Sequence, residues 1–327
     1  MGRSDKPRFF PARDELPHEI GDHPFWQESV FFTWGDVERG VFGYHRIGQE
    51  ANANGGKGFV TSWNGIATRD GLRYCRYLLA TMRPEDRHAK GFLATDVFKM
   101  DYEDGKTRWR ISDADCAMDL TATDFTPRFD LYRDGGTVVN DYAQGHIEVA
   151  GPVNGTLRLG KEHYDIDGLV YRDHSWGKRI RGTMLSHRWI AGTVGPELTF
   201  NATSWHGTDG TLMTYGIACR NGEVAYAREV DIVVHMEIDA YTHRGGILRM
   251  VLDDGDVIEI HPKIVDGFLT EHHQSAVIDA MCEVTWNGKK GFCDLEITTN
   301  PRGGERPVSA LVRATKTQGL SNRDWKL

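Results

Sequence analysis

Tyr215-Gly216-Ile217-Ala218-Cys219-Arg220-Asn221-Gly222-Glu223-Val224-Ala225-Tyr226-Ala227-Arg228 decides the fold class of this chain. Residues 215–219 and 224–228 flank Asn221-Gly222, a dipeptide able to take the positive φ angles of a tight turn that matches the twist of paired strands. The stretch predicts a β-hairpin. The pattern recurs downstream: residues 247–252 and 257–260 flank Asp254-Gly255, and residues 282–286 face 292–298 across Asn287-Gly288. Upstream, residues 29–34 and 41–47 around Gly40, then 74–82 and 116–125, carry the apolar-polar alternation of strands. Helical periodicity is scarce, with 83–90 and 275–282 its best stretches. The chain is therefore expected to be all-β.

At 327 residues the chain exceeds the usual size of a single domain. Its 37 glycines, nine tryptophans and many short strands favour antiparallel barrels or sandwiches, because closure removes exposed strand edges. A barrel of eight or more strands also has room for one small apolar ligand. Two domains of about 150 residues each are expected, divided where the strand at 156–159 ends, as 1–165 and 166–327. The 39 basic and 47 acidic residues, net −8, are spread without long runs, so no nucleic-acid partner is expected. No window approaches eighteen apolar residues, and the first twenty residues are charged and proline-bearing. That predicts neither a membrane span nor a secretory signal. Five scattered cysteines without a Cys-x-x-Cys pair suit buried, reduced thiols in a cytoplasmic protein. A small hydrophobic molecule is the expected partner, and a homodimer is compatible with the sequence.

The chemistry concentrates in Tyr171-Arg172-Asp173-His174-Ser175-Trp176-Gly177-Lys178-Arg179, followed by His187-Arg188-Trp189. Other common sites are missing. There is no His-Glu-x-x-His helix and no Gly-x-x-x-x-Gly-Lys phosphate loop, and Gly55-Gly56-Lys57-Gly58 lacks dinucleotide-binding spacing. Asp173 stands where a Gly-x-Ser-x-Gly elbow around Ser175 needs glycine. His272 and His273 adjoin Glu271, but adjacent strand residues point to opposite faces and cannot chelate together. No metal site and no nucleotide cofactor is expected.

If 171–176 is a strand, Tyr171, Asp173 and Ser175 share one face, and Arg172, His174 and Trp176 the other. A first face turned to an apolar cavity would raise the Asp173 pKa and make it a proton donor, with Tyr171 in hydrogen-bonding reach. Equally, Asp173 between Arg172 and His174 reads as a buried ion pair, with Trp176 packed above Gly177. His187 and Trp189 also share a face, open to a cavity role or a core role.

Residues 167–177, Asp-Gly-Leu-Val-Tyr-Arg-Asp-His-Ser-Trp-Gly, resemble the Gly-x-x-Tyr-x-Asp-His-x-Trp-Gly stretch of the carotenoid 1,2-hydratase and AttH-like lipocalin-type superfamily. That group includes Diels-Alderases and terpenoid cyclases. Trp26-Gln27-Glu28-Ser29 with Trp34, and Gly151-Pro152-Val153-Asn154-Gly155-Thr156-Leu157, extend the likeness. The resemblance implies two tandem lipocalin-like (calycin-type) antiparallel β-barrels or sandwiches, with an apolar pocket and no cofactor. It also implies a Tyr-x-Asp pair that adds water to a carbon-carbon double bond, roles that fall on Tyr171 and Asp173. The hydratase branch carries a His-x-Trp element upstream of this pair. Here the sequence departs from it, with Gln144 and His146 upstream but no tryptophan, and His187-Arg188-Trp189 downstream.

The resulting expectation is a cofactor-independent acid-base enzyme, a hydro-lyase or an isomerase or cyclase, acting on a terpenoid, steroid-like or polyketide-like hydrophobe. Asp173 is the expected acid, Tyr171 and His174 tune or relay its proton, and His187 is a further acid-base group. Arg172 and Arg179 supply compensating charge, Trp176, Trp189 and Trp34 shape the pocket, and His146 joins the binding residues. The alternative is a carrier that holds a similar hydrophobe without transforming it. A filled barrel interior would point instead to a scaffold for protein contacts.

Overall fold

The alternation in the sequence becomes two antiparallel sheets in the computed structural model of the chain, which describes residues 7–132, 142–238, 242–272, 275–299 and 319–322. His273 lies outside the described residues. The first sheet opens with β1 (Trp26–Asp36), β2 (Val41–Glu50), β3 (Phe59–Thr68) and β4 (Leu72–Thr81). Shorter strands come next: β5 (Arg87–His88), β6 (Gly91–Ala94), β7 (Phe98–Glu103), β8 (Lys106–Ser112), β9 (Cys116–Ala122) and β10 (Phe129–Asp130). Two long strands, β11 (Gly145–Leu159) and β12 (Glu162–Lys178), run through its middle.

The second sheet comprises β13 (Met184–Thr193), β14 (Thr199–Gly207), β15 (Leu212–Arg220), β16 (Glu223–Met236) and β17 (His243–Leu252). It continues with β18 (Val257–Ile260), β19 (Lys263–His272), β20 (Ser275–Trp286) and β21 (Lys289–Thr299). β22 (Gly319–Asn322) then pairs with β4 in the first sheet. The spatial orders are β22-β4-β3-β2-β1-β12-β11-β9-β8-β7-β6-β5, with β10 beside β11, and β18-β17-β16-β15-β14-β13-β21-β20-β19.

The hairpin expected at Asn221-Gly222 forms between β15 and β16, with Asn221 at φ 52° and Gly222 at φ 87°. Asn287 and Gly288 turn between β20 and β21 in the same way, at 48° and 78°. Two expectations need correction. Residues 275–282 are not helical but belong to β20, where burial on both faces produces an apolar run without alternation. The boundary expected between 165 and 166 falls inside β12, because residues 160–161 are the tight turn of the β11–β12 hairpin, paired from Leu159↔Glu162 to Gly145↔Trp176. The sheets change later, between Lys178 and Met184.

Each sheet curls around a core of its own, giving the lipocalin-like all-β architecture. Val30, Phe32, Trp34, Phe92 and Trp109 fill the first interior, and Phe200, Leu248, Met250 and Leu295 fill the second. A third layer, with Phe31, Tyr44, Tyr171, Trp189, Phe268 and Phe292, lies between the sheets. Both interiors are packed with side chains, so the room expected inside a barrel is found between the two units instead. All five cysteines are buried and no disulfide joins them. Among the described residues no helix is long and apolar enough to cross a membrane.

Candidate active site

Side chains alternate along β12, and the two faces of its central motif have different surroundings. Arg172, His174 and Trp176 belong to the interior side of the first unit. Arg172 Nη1 and Nη2 donate to the two Glu15 oxygens at 3.0 and 2.9 Å, and Nη2 also donates to Asp124 Oδ1 at 2.7 Å. Burial opposes ionisation of Glu15, yet the Arg172 guanidinium holds it below the ordinary carboxylate value. His174 Nε2 lies 2.9 Å from Glu28 Oε1, which His18 Nδ1 also approaches at 2.7 Å, while Arg87 meets the other oxygen at 2.5 Å. Burial again opposes ionisation, but the two histidines bring Glu28 down to about 2.

Trp176 stacks on His18 at 3.7 Å. Beneath its ring lies its cross-strand partner Gly145, where a Cβ would stand 2.2 Å from the indole. The glycine that makes room is therefore Gly145 and not Gly177, whose φ of 113° and close approach to the Gln144 backbone are a separate requirement. Gly145→Val is expected to cost about 1–3 kcal/mol through overpacking, measured by thermal unfolding. Trp34 Nε1 donates to His45 Nε2 at 3.0 Å in the first core, where burial lowers His45 to about 3 and keeps it neutral as the acceptor. Strand alternation thus places four of the expected site residues, Arg172, His174, Trp176 and Trp34, away from the cavity.

The opposite face of β12 turns toward the second sheet. There a cavity of about 720 Å³, counting the solvent in its mouth, opens between β1, β2, β3, β11 and β12 on one side and β13, β20 and β21 on the other. Asp173, His146, Arg179, His187 and Trp189 line it. Tyr171 sits one step deeper, fully buried, and its hydroxyl accepts a hydrogen bond from Asn201 Nδ2 at 2.9 Å. Glu148 stands opposite Asp173 in the β11–β12 ladder. His146 Nε2 lies 3.3 Å from Glu148 Oε1 and 3.7 Å from Asp173 Oδ2. Burial, then the charge of Asp173, pushes the Glu148 carboxyl well above its ordinary value, outweighing the donors Tyr171 and Asn201 beside it. Burial thus favours the protonated form of Glu148.

The far wall has the opposite character. His187 Nδ1 lies 3.3 Å from Glu296 Oε1, and its Nε2 lies 2.6 Å from Thr203 Oγ1. Thr298 Oγ1 donates to the same Glu296 oxygen at 2.7 Å. Burial disfavours the charge on Glu296, but His187 and then Thr298 hold its pKa below the ordinary value. A carboxyl pushed toward its neutral form thus stands behind one wall and one held toward its ionised form on the other. Trp189 bridges them, edge-on to Phe31 at 5.7 Å and to Tyr171 at 6.1 Å.

Donor atoms of His146, Glu148 and Asp173 lie within 4.8 Å of one another, a spacing that a divalent ion could span. His18, Glu28 and His174 show the same spacing, but Glu28 is already shared with Arg87. Sequence reading missed Glu148 and Glu296. The first had a local signal, because Glu148 shares a strand face with His146 two residues before it. The second had none, because Glu296 reaches the site only through the pairing of β13 with β21, across more than a hundred residues.

No curated protein sequence matches this chain. Among solved structures it is similar to AttH (NE1406) from Nitrosomonas europaea, with a TM-score of 0.66 and 14% identity over 89% of this chain and 97% of that one. CghA with Sch210972 gives a TM-score of 0.62 and 10% identity, over 85% and 89% of the two chains. Kievitone hydratase from Nectria haematococca gives 0.61 and 11%, over 91% and 95%. At such identities the likeness is one of fold, and the fold is the AttH-like lipocalin type that residues 167–177 resemble. A family model covers residues 11–301, so the chain belongs to the family described as Domain of unknown function (DUF7064).

Proposed function

We propose that the inter-sheet cavity is the active site of an acid-base enzyme that protonates a small hydrophobic substrate, with Glu148 and Asp173 acting as a carboxyl pair. One observation carries this reading: the fully buried Glu148 carboxyl set opposite Asp173 at the cavity wall, with His146 at 3.3 and 3.7 Å from the two. A carrier has no use for a pair of buried carboxyls at the wall of its ligand cavity, whereas an enzyme draws on one as a proton store. Glu148 stores the proton and passes it, directly or through His146, to Asp173, which delivers it to a substrate carbon or oxygen. Trp189, Phe31 and Trp63 hold the apolar substrate and face any developing cation with their π clouds. His187, backed by ionised Glu296, takes the balancing proton, either from water that captures the cation or from a neighbouring carbon. The first route is hydration, the second isomerisation. Similarity to kievitone hydratase supports the first, and the superfamily resemblance adds cyclisation, which begins with the same protonation.

The test offers kievitone, farnesol and retinol to the protein in deuterated buffer and follows mass. A gain of one water, or of carbon-bound deuterium, is expected for at least one probe. A probe that binds yet returns unchanged across the panel would leave the carrier reading standing. Glu148→Gln replaces a neutral group by a neutral isostere, so folding should persist while the mass change slows. It also carries a pH signature. Because the folded pKa of Glu148 is raised, its contribution to stability is full below the unfolded value of about 4.3 and declines as pH rises through the folded value. The variant lacks that decline, so its melting temperature relative to wild type should climb as pH rises above the unfolded value toward the raised folded one.

A further inference from the structure

Among the described residues lining the cavity, Arg179 is a cation with only neutral partners. Its Nη2 donates to Ser175 Oγ at 2.9 Å, its Nε donates to the Tyr142 carbonyl oxygen at 3.0 Å, and the guanidinium carbon sits 4.2 Å from the centre of the Tyr142 ring. The carboxylates of the cavity are engaged elsewhere, Asp173 beside His146 at 3.7 Å and Glu296 beside His187 at 3.3 Å. Ser29 Oγ lies 3.2 Å from Ser175 Oγ, so two hydroxyls and a guanidinium fork converge at one end. Beyond them the lining at Phe31, Met184, Trp189 and Val277 is apolar. A planar fork of N–H donors held in a half-buried wall, with no counter-ion among the described residues, is a receptor for a planar oxyanion.

We infer that Arg179, with Ser29 and Ser175, binds the carboxylate of an otherwise apolar substrate. The inference deepens the acid-base reading and rests on it for the chemical step after binding. Ser175 stands two residues beyond Asp173 on the same strand face, about 6.6 Å along the strand. The carbon that receives the proton therefore lies roughly five bonds from the carboxylate carbon. A flexible hydrophobe anchored at its acid end presents one particular carbon to Asp173, which makes Arg179 the residue that sets regiochemistry.

Trp63 and Trp189 line the cavity, so quenching of intrinsic fluorescence reports occupancy. The probes are retinoic acid against retinol and farnesoic acid against farnesol. Wild type should bind each acid about 10–100-fold more tightly than its alcohol. Arg179→Gln should bring acid and alcohol within about threefold, and Arg179→Lys should retain part of the preference. If Arg179→Gln does not fold, Ser175→Ala must lower the preference by at least about threefold. No preference in wild type, whether both probes bind equally or neither binds, overturns the inference, as does a preference that survives Arg179→Gln. Asp173→Asn separates the two readings. A variant that keeps both turnover and acid preference defeats only the proton-donor role, whereas lost turnover without acid preference in wild type defeats only the carboxylate anchor.

Discussion

Arg172→Ala is expected to lower stability by about 3–5 kcal/mol, because removing one partner of a buried ion pair strands the others. The arginine is 3% exposed and shares Glu15 and Asp124 with Arg128, whose Nε meets Glu15 at 3.0 Å and whose Nη2 meets Asp124 at 2.6 Å. Two cations balance two carboxylates in that cluster, and the variant leaves one facing two. Arg172→Lys should recover only part of the loss, since a single ammonium cannot span both Glu15 oxygens as the guanidinium fork does. Urea unfolding of the three proteins measures both effects. A loss below about 1 kcal/mol would mark these pairs as solvent-screened and return Arg172 to the candidates for substrate binding.

Asp173→Asn, one residue away, is expected to fail in the opposite manner. Turnover on whichever probe wild type transforms should fall by about 10²–10⁴-fold, the usual worth of a positioned general acid. Stability should change by no more than about 1 kcal/mol, because the Asp173 side chain is 17% exposed at the cavity wall and its ion-pair partner among the described residues is His146, at 3.7 Å. Single-turnover mass spectrometry and a melting curve on the same preparation give the two numbers. Retained turnover would sink the proton-donor role. Loss of folding would show the carboxylate to be a structural partner of His146.

The contrast between these neighbours measures how far the sequence could be read. Hairpins announced themselves because Asn221-Gly222 and Asn287-Gly288 carry a backbone requirement that few other dipeptides meet. The alternation of β12 was equally local, and it sorted Tyr171, Asp173 and Ser175 from Arg172, His174 and Trp176 before any contact was known. What it could not say was which set met the open space, since both faces of β1 and both faces of β12 from Val170 to Gly177 are largely buried. The boundary was misread for a similar reason, because a two-residue turn looks the same whether the next strand stays in its sheet or leaves it. Residues 275–282 were ambiguous because a strand buried on both faces loses the period of two on which its recognition depends.

By itself the sequence determined the all-β class, the hairpins, the two faces of the central motif and the resemblance to the AttH-like group, all of them properties of residues within about twenty positions of one another. Only the tertiary structure decided that the cavity lies between the two units, that Glu148 is buried opposite Asp173 with its pKa pushed up, and that His187 with Glu296 closes the far wall. The physical reason is that cavity and proton affinity both depend on burial. Burial is set by strand order, which here brings β12 and β21 to face each other across a gap that no local pattern encodes.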